Sequence, residues 1–302
     1  MTFKPCRRSL AASLVAIASV GWPGRPSRAA GSGADAASSP ARAAFLALER
    51  QSGGRLGVMA LDTGASCSIG YRAGERFAMC STHKFLTAAA ILAMVDAGRL
   101  TLDHPVAYGR DDLLSYAPVT RKHVDAGRMS VDALTAAAIQ WSDNTAANLL
   151  LGLIGGPAGW TRYARSIGDA VSRLDRIEPG LNEAAPGDPR DTTTPAAAIG
   201  DLDAVLRGAA LSEASRARLQ GWMVESEITN DLLRAGMPAG WRVGDKSGSG
   251  DNGTRNDIGI VLRPGGAPIL AAVFLTGSTA PAAARDAVVA SAGRIIARSF
   301  GG

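Results

Sequence analysis

The sequence predicts an α/β protein of the α+β sandwich type: an antiparallel five-stranded sheet flanked by N- and C-terminal helices, with an all-helical domain inserted. Three observations carry this prediction. Alternating apolar and polar residues, the mark of half-buried strands, occur only near the two ends of the folded part. From Ser81 to about Trp222 nearly every periodic segment is helical instead. A helix pattern stands before the first strands and another after the last. With 302 residues and 46% hydrophobic content, the chain is long enough to bury a substantial core in one or two domains.

In chain order, the first stretch is MTFKPCRRSLAASLVAIASVGWPG. Lys4, Arg7 and Arg8 precede an apolar run from Leu10 to about Trp22, shorter than the roughly 20 apolar residues a helical membrane span needs. This is the layout of an export signal over residues 1–29, with cleavage after Ala29 or at a second site offered by Ala34 and Ala36. Arg7-Arg8-Ser9-Leu10 fits the twin-arginine route as well as the general secretory one. The mature chain is thus expected to be periplasmic or secreted, with no membrane span. Loss of residues 1–29 removes five positive charges and no negative one, so the formal net charge of +5 falls to zero. A nucleic-acid partner is therefore not expected.

Residues 30–40, overlapping the small-residue stretch GSGADAASSPARAA of residues 31–44, read as a linker. ARAAFLALERQSG is a helix pattern that stops at Gly53 and Gly54, and RLGVMALDTGASCSIGYRAGERF alternates around Asp62-Thr63-Gly64 as a β-hairpin. The helical block follows, with KFLTAAAILAMVDAGRL, MSVDALTAAAIQW, NTAANLLLGLIGG and TTPAAAIGDLDAVLRG separated by Gly, Pro and Asp clusters. WRVGDKSGSG, DIGIVLR and ILAAVFLTG supply three more strands, the last two joined by a turn at Arg263-Pro264-Gly265-Gly266. AAARDAVVASAGRIIARSF closes the chain as a helix. The expected division is an α/β domain from residues 41–79 and 223–302 and an all-α domain from 80–222, with a cleft where they meet.

Two cysteines, Cys67 and Cys80, remain once Cys6 leaves with the signal. They could pair in an oxidising compartment, but Cys67 falls in a strand and Cys80 beside a helix, so two buried thiols are the expectation. Of the three histidines, His104 and His123 are unclustered, and no metal site or other cofactor is expected.

The chemistry begins in FAMCSTHKFLTAAAIL, residues 77–92, where Lys84 stands in an otherwise apolar helix. Ser81 precedes it by three residues, so the two side chains share a helical face. A buried ammonium is costly and must be paired or neutral. A deprotonated lysine is a base for the serine hydroxyl, and the helix start favours negative charge there. Taken alone, the pair also fits a snorkelling lysine behind a helix-capping serine. Composition favours chemistry: only Lys4, Lys84, Lys122 and Lys246 are lysine, and 28 of 32 basic residues are arginine, which does not titrate at working pH. His83 points to another side of the helix and reads as a packed or partly exposed imidazole.

Three further segments complete a constellation. Ser142-Asp143-Asn144 precedes a helix, Lys246-Ser247-Gly248-Ser249 lies in a strand, and RLDRIEPGLNEAAPGDPRDTTTP holds Glu178-Pro179, Asn182 and Asp191. With Ser81 and Lys84, these motifs in this order resemble those of class A serine β-lactamases over nearly all of residues 40–300. The resemblance implies the two-part fold with its inserted helical domain, and a β-lactam hydrolase that works through a serine acyl-enzyme and confers antibiotic resistance. Ser81 is then the nucleophile, and the N–H groups of Ser81 and Ser249 form the oxyanion hole. Ser142 relays a proton to the leaving nitrogen, steadied by Lys84 and Lys246. Lys246, Ser247, Ser249 and Arg255 grip the substrate carboxylate, and Gly248 lets the ligand approach the backbone. Asn144 offers its carboxamide to the substrate, and Tyr116 stands at the cleft edge. Glu178 and Asn182 hold the deacylating water on an omega loop whose ends Arg176 and Asp191 tie together. Lys84 and Glu178 both remain candidates for the acylation base. Ser247 stands where threonine is common, and either residue supplies a hydroxyl.

In family carbapenemases the cysteine before the nucleophile is bridged. The matching position here is Gly250, so that bridge is absent and carbapenem hydrolysis is not expected. The implied partner is a small-molecule β-lactam, acting on a monomer. The rival readings are a D,D-peptidase, which acylates and then stalls, and a β-lactam sensor, which needs no deacylation loop.

Overall fold

The computed structural model describes Lys4, Pro5 and residues 39–301. The expected export signal, apart from Lys4 and Pro5, and most of the expected linker lie outside the described residues. The strands are β1 (Lys4–Pro5), β2 (Arg55–Asp62), β3 (Cys67–Tyr71), β4 (Phe77–Ala78), β5 (Pro105–Ala107), β6 (Arg128–Ser130), β7 (Thr192–Thr193), β8 (Arg242–Gly250), β9 (Thr254–Leu262) and β10 (Ile269–Thr276). The helices are α1 (Pro40–Ser52), α2 (His83–Asp96), α3 (Thr120–His123), α4 (Val131–Gln140), α5 (Asn144–Leu153), α6 (Gly156–Ser166), α7 (Pro195–Leu206), α8 (Glu213–Val224) and α9 (Ala282–Gly301). Helix α1 starts one residue before the predicted boundary because Ser39 caps it, accepting from the Arg42 N–H, and Pro40 suits the first turn.

The main sheet runs β1-β3-β2-β10-β9-β8. Its last five strands are the predicted antiparallel sheet. The sixth, two-residue β1 was not expected and pairs parallel to β3, with Lys4 opposite Cys67 and Pro5 opposite Ser68. Unpaired N–H and C=O groups on an edge strand are a template for such addition.

Both faces of the sheet are buried, and alternation assigns each side chain to one of them. Leu56, Val58 and Ala60 of β2 pack with Val273 and Leu275 of β10 against Phe45 and Leu48 of α1 and Val289 and Ile296 of α9. Met59 and Leu61 point the other way, toward Leu86 of α2, Ile199 and Leu202 of α7 and Trp222 of α8. Covering on both sides explains why β10 reads ILAAVFLT with no polar alternation. A further cluster, including Ile91, Val131, Leu134 and Leu150, lies within the helical part. Among the described residues no helix is long and apolar enough to cross a membrane.

The expectation of two buried thiols is corrected at Cys67, which is disulfide-bonded. Cys80 is a free thiol with no exposure. They do not pair with each other: Cys67 opens β3, whereas Cys80 sits in the turn before α2.

Candidate active site

The turn Cys80–Thr82 carries Ser81 into α2. Cys80 is held at φ 47°, a left-handed conformation that costs energy for a non-glycine residue and persists only where its surroundings impose it. Here they do: the Met79 N–H donates to the Asp191 carbonyl at 2.9 Å, and Asn256 Nδ2 donates to the carbonyls of Ala78 at 2.8 Å and Met79 at 3.1 Å. The Cys80–Thr82 turn is thereby tied to the omega loop and to β9.

Lys84 is fully buried, one helical turn along from Ser81. Its Nζ donates to Ser81 Oγ (2.9 Å), the Ser142 carbonyl (2.8 Å), Ser142 Oγ (3.2 Å) and Asn144 Oδ1 (2.6 Å), and stands 3.0 Å from Glu178 Oε1. Burial pushes its pKa below the ordinary lysine value, against the pull of the Glu178 charge. Lys246, also without exposure, donates to Ser142 Oγ at 3.0 Å and to the Ser247 carbonyl at 2.8 Å. Its pKa is driven well down by burial and then by the charge of Lys84. The Ser142 hydroxyl thus lies between two ammonium groups that are both easier to deprotonate than a lysine in water.

Ser142 holds this position at φ 57° between α4 and α5. The neighbouring Asp143 caps α5 through the Ala146 N–H at 2.9 Å and also accepts from the N–H groups of Val119 and Thr120. It so anchors the loop carrying Tyr116, whose carbonyl accepts from the Asn144 N–H at 3.0 Å while its side chain is 46% exposed.

Glu178 is buried on the omega loop and accepts from Ser81 Oγ at 3.2 Å through Oε1 and from Asn182 Nδ2 through Oε2. Burial alone would raise its pKa, but the Lys84 charge and the His83 ring outweigh it and hold the carboxyl well below its usual range. Arg176 pairs with Asp191 at 2.6 Å, and Asp191 Oδ1 accepts from the N–H groups of Asp175 and Arg176, closing the loop. On the opposite wall, Arg255 donates to Ser249 Oγ at 2.6 Å and is held by Asp286 of α9 at 2.5 Å. A side chain at Gly248 would put its Cβ 2.7 Å from the Met79 carbonyl, so only glycine lets β8 lie this close to the turn that carries Ser81. At Gly250 the same atom would stand 2.6 Å from Cys80 Sγ, so the Cys80 thiol faces a glycine.

The structure therefore brings Ser81, Lys84, Ser142, Asn144, Glu178, Asn182 and Lys246 into one hydrogen-bonded cluster. Ser247, Gly248, Ser249 and Arg255 flank it on β8 and β9, and Tyr116 lies exposed on the loop before α3. Asn144 spends its carbonyl oxygen on Lys84, which leaves only its NH2 group for a ligand. Sequence reasoning missed Asn148, which donates to the Glu178 carbonyl at 2.9 Å and accepts from the Glu178 N–H at 3.0 Å. Its spacing of four from Asn144, on the same face of α5, is the signal that could have found it.

The model of the β-lactamase enzyme family matches residues 40–300. The chain is 46% identical to the β-lactamase CTX-M-8 of Citrobacter amalonaticus over 85% of this chain and 88% of that protein. It is 48% identical to the β-lactamase L2 of Stenotrophomonas maltophilia over 91% and 93%. A solved ancestral class A β-lactamase, from the last common ancestor of Gram-negative bacteria, superposes with a TM-score of 0.85 at 56% identity, covering 86% of this chain and all of that one. Likeness of this extent, in sequence and in fold together, means that the chain belongs to the β-lactamase enzyme family and is a class A member of it.

Proposed function

We propose a residue-level route for the reaction of this class A β-lactamase, which hydrolyses the lactam ring of penicillin- and cephalosporin-type antibiotics and so gives resistance to them. Ser81 Oγ attacks the lactam carbonyl as its proton leaves to Lys84 or to Glu178, both in contact with the hydroxyl. The oxyanion is met by the N–H groups of Ser81 and Ser249. As the C–N bond breaks, Ser142 gives its proton to the ring nitrogen and is reprotonated from the neighbouring lysines. Water held by Glu178 and Asn182 then yields a proton to Glu178 and attacks the ester carbon, and Glu178 returns that proton to Ser81 Oγ as it leaves. Lys246, Ser247, Ser249 and Arg255 bind the substrate carboxylate, and Tyr116, Asn144 and Gly248 shape the remaining wall.

The observation that carries this route is the Glu178 carboxylate, which lies within hydrogen-bonding distance of both Ser81 Oγ and Lys84 Nζ. It favours hydrolysis over the stalled acyl-enzyme of a D,D-peptidase. In this reading residues 41–79 and 223–302 form one domain and 80–222 the other, with the reacting groups drawn from both. We infer that the chain acts as a monomer, one copy supplying every reacting group of this route. Residues 1–29 act as an export signal that delivers a periplasmic or secreted enzyme, supported by Lys4, Arg7 and Arg8 ahead of an apolar run.

Glu178→Ala tests the route. With a penicillin the variant should acylate and retain the adduct, seen as a persistent mass increase on the protein. Turnover at the parent rate would remove Glu178 from the mechanism. Ser81→Ala should give no adduct at all.

A further inference from the structure

We propose that His83 is a positioning residue for deacylation, its Nε2–H acting as a buried donor to Glu178 Oε1 once Ser81 is acylated. This inference rests on Glu178 being the base for the deacylating water. The imidazole is buried, and its Nδ1 lies 3.2 Å from Thr87 Oγ1. Its Nε2 stands 3.5 Å from Glu178 Oε1, with neither side chain exposed, and has no hydrogen-bond partner among the described residues. An unpaired buried polar atom is costly, so this nitrogen must find a partner in some state of the enzyme.

The tautomer follows from the carboxylate that faces Nε2. The Thr87 hydroxyl reaches either His83 Nδ1 or the His83 carbonyl, at 3.2 Å in each case. That carbonyl already accepts from Trp160 Nε1 at 3.0 Å. Thr87 Oγ1 can donate to Nδ1 or accept from it, but Nε2 faces the Glu178 carboxylate, which places the ring proton on Nε2, aimed at Oε1. A lone pair on Nε2 would instead face the negative Oε1.

Other groups facing the ring leave this role open. Lys84 on α2 and Lys246 on β8 are cationic neighbours, and burial together with their charge keeps His83 uncharged. Asp201 of α7 lines a small cavity together with His83, Trp160 and Thr193. Burial and the neighbouring Asp169 push the Asp201 carboxyl well above its usual range, which weakens it as a competing anionic acceptor. In the resting enzyme Glu178 Oε1 takes its hydrogen bonds from Ser81 and Lys84. Acylation converts Ser81 Oγ to an ester oxygen with no proton to give, so Oε1 loses one donor. The Nε2–H is the buried donor beside it, and such contacts tighten in working complexes.

The test compares the parent with His83→Phe, Thr87→Val and Glu178→Ala on a penicillin whose turnover is limited by deacylation. Phenylalanine keeps the ring volume among apolar neighbours and removes the N–H. For His83→Phe, kcat should fall about three- to tenfold while kcat/KM stays within about twofold. The acid limb of kcat should move up by about half a pH unit, because Glu178 loses a donor that favours its charged form. Thr87→Val should shift the limb the same way by less. In 15N–1H spectra the His83 signal, identified among three histidines by its loss in the variant, should be that of an Nε2-protonated ring. An unmoved acid limb with kcat and kcat/KM falling together, or an Nδ1-protonated ring, overturns the proposal. Should His83→Phe not fold, Thr87→Val and the parent spectrum decide it. If Glu178→Ala stalls while the His83→Phe limb is unchanged, His83 alone is misassigned; if Glu178→Ala turns over normally, the base assignment has failed.

Discussion

Asn148 holds Glu178 by its backbone alone, one bond to the carbonyl and one from the N–H, so it fixes where the carboxylate can reach without touching it. Asn148→Ala leaves both groups of Glu178 without that partner, which should cost about 1–3 kcal/mol of stability. It should also slow deacylation more than acylation, and pre-steady-state acylation beside steady-state turnover checks this. Equal loss in both steps would mean that Asn148 supports the whole fold and not this one side chain. At this scale Ser81 and Lys84 were legible because a lysine is rare in this chain and sits in an apolar helix. Asn148 and the contact of His83 with Glu178 were not. Each meets a partner far away along the chain, and helical periodicity says which face a residue occupies but not what packs on it.

Strands β8 and β9 carry Lys246, Ser249 and Arg255 into the site, and behind them lies a pair of buried carboxyls. Asp245 accepts from Thr229 at 2.8 Å and from Arg234 at 2.8 and 3.0 Å, and Asp257 accepts from the Leu233 N–H at 3.1 Å. Each keeps one further oxygen without a hydrogen-bond partner among the described residues, and the two carboxyls interact with each other. Two acceptors can bond only if one of them carries a proton. Burial, and then the charge of Asp245, push Asp257 well above the usual carboxylate range. A group raised in this way stabilises the fold fully below its unfolded pKa, about 3.9, and that contribution is lost as pH rises through the folded value. Asp257→Asn cannot ionise, so its Tm relative to the parent should improve as pH rises above about 4 and level off once pH passes the folded value. A difference that stays flat as pH rises would show that Asp257 is not the proton carrier. Strand existence and facing were readable here from alternation, but not the coupling, because Asp245 and Asp257 become neighbours only when β8 and β9 pair.

The two parts of the molecule share one apolar core. Phe274 of β10 has no exposure, stacks near Phe77 with ring centroids 5.9 Å apart, and belongs to the same cluster as Leu86, Trp160 and Leu202 of the helical part. Phe274→Ala should cost about 3–5 kcal/mol and should loosen sheet and helices together. Thermal unfolding should then be one transition, with calorimetric and van't Hoff enthalpies in agreement; two resolved transitions would mean that the layers are energetically separate. The sequence by itself determined the class of fold, the antiparallel five-stranded sheet with its flanking helices, and the family, because periodicity and ordered short motifs are local properties of a chain. Tertiary structure alone decided what became of Cys67, the added strand at Lys4–Pro5, the Asn148 clamp and the direction of the His83 ring. Each of these depends on contacts between segments distant in sequence, whose geometry is settled only when the elements pack.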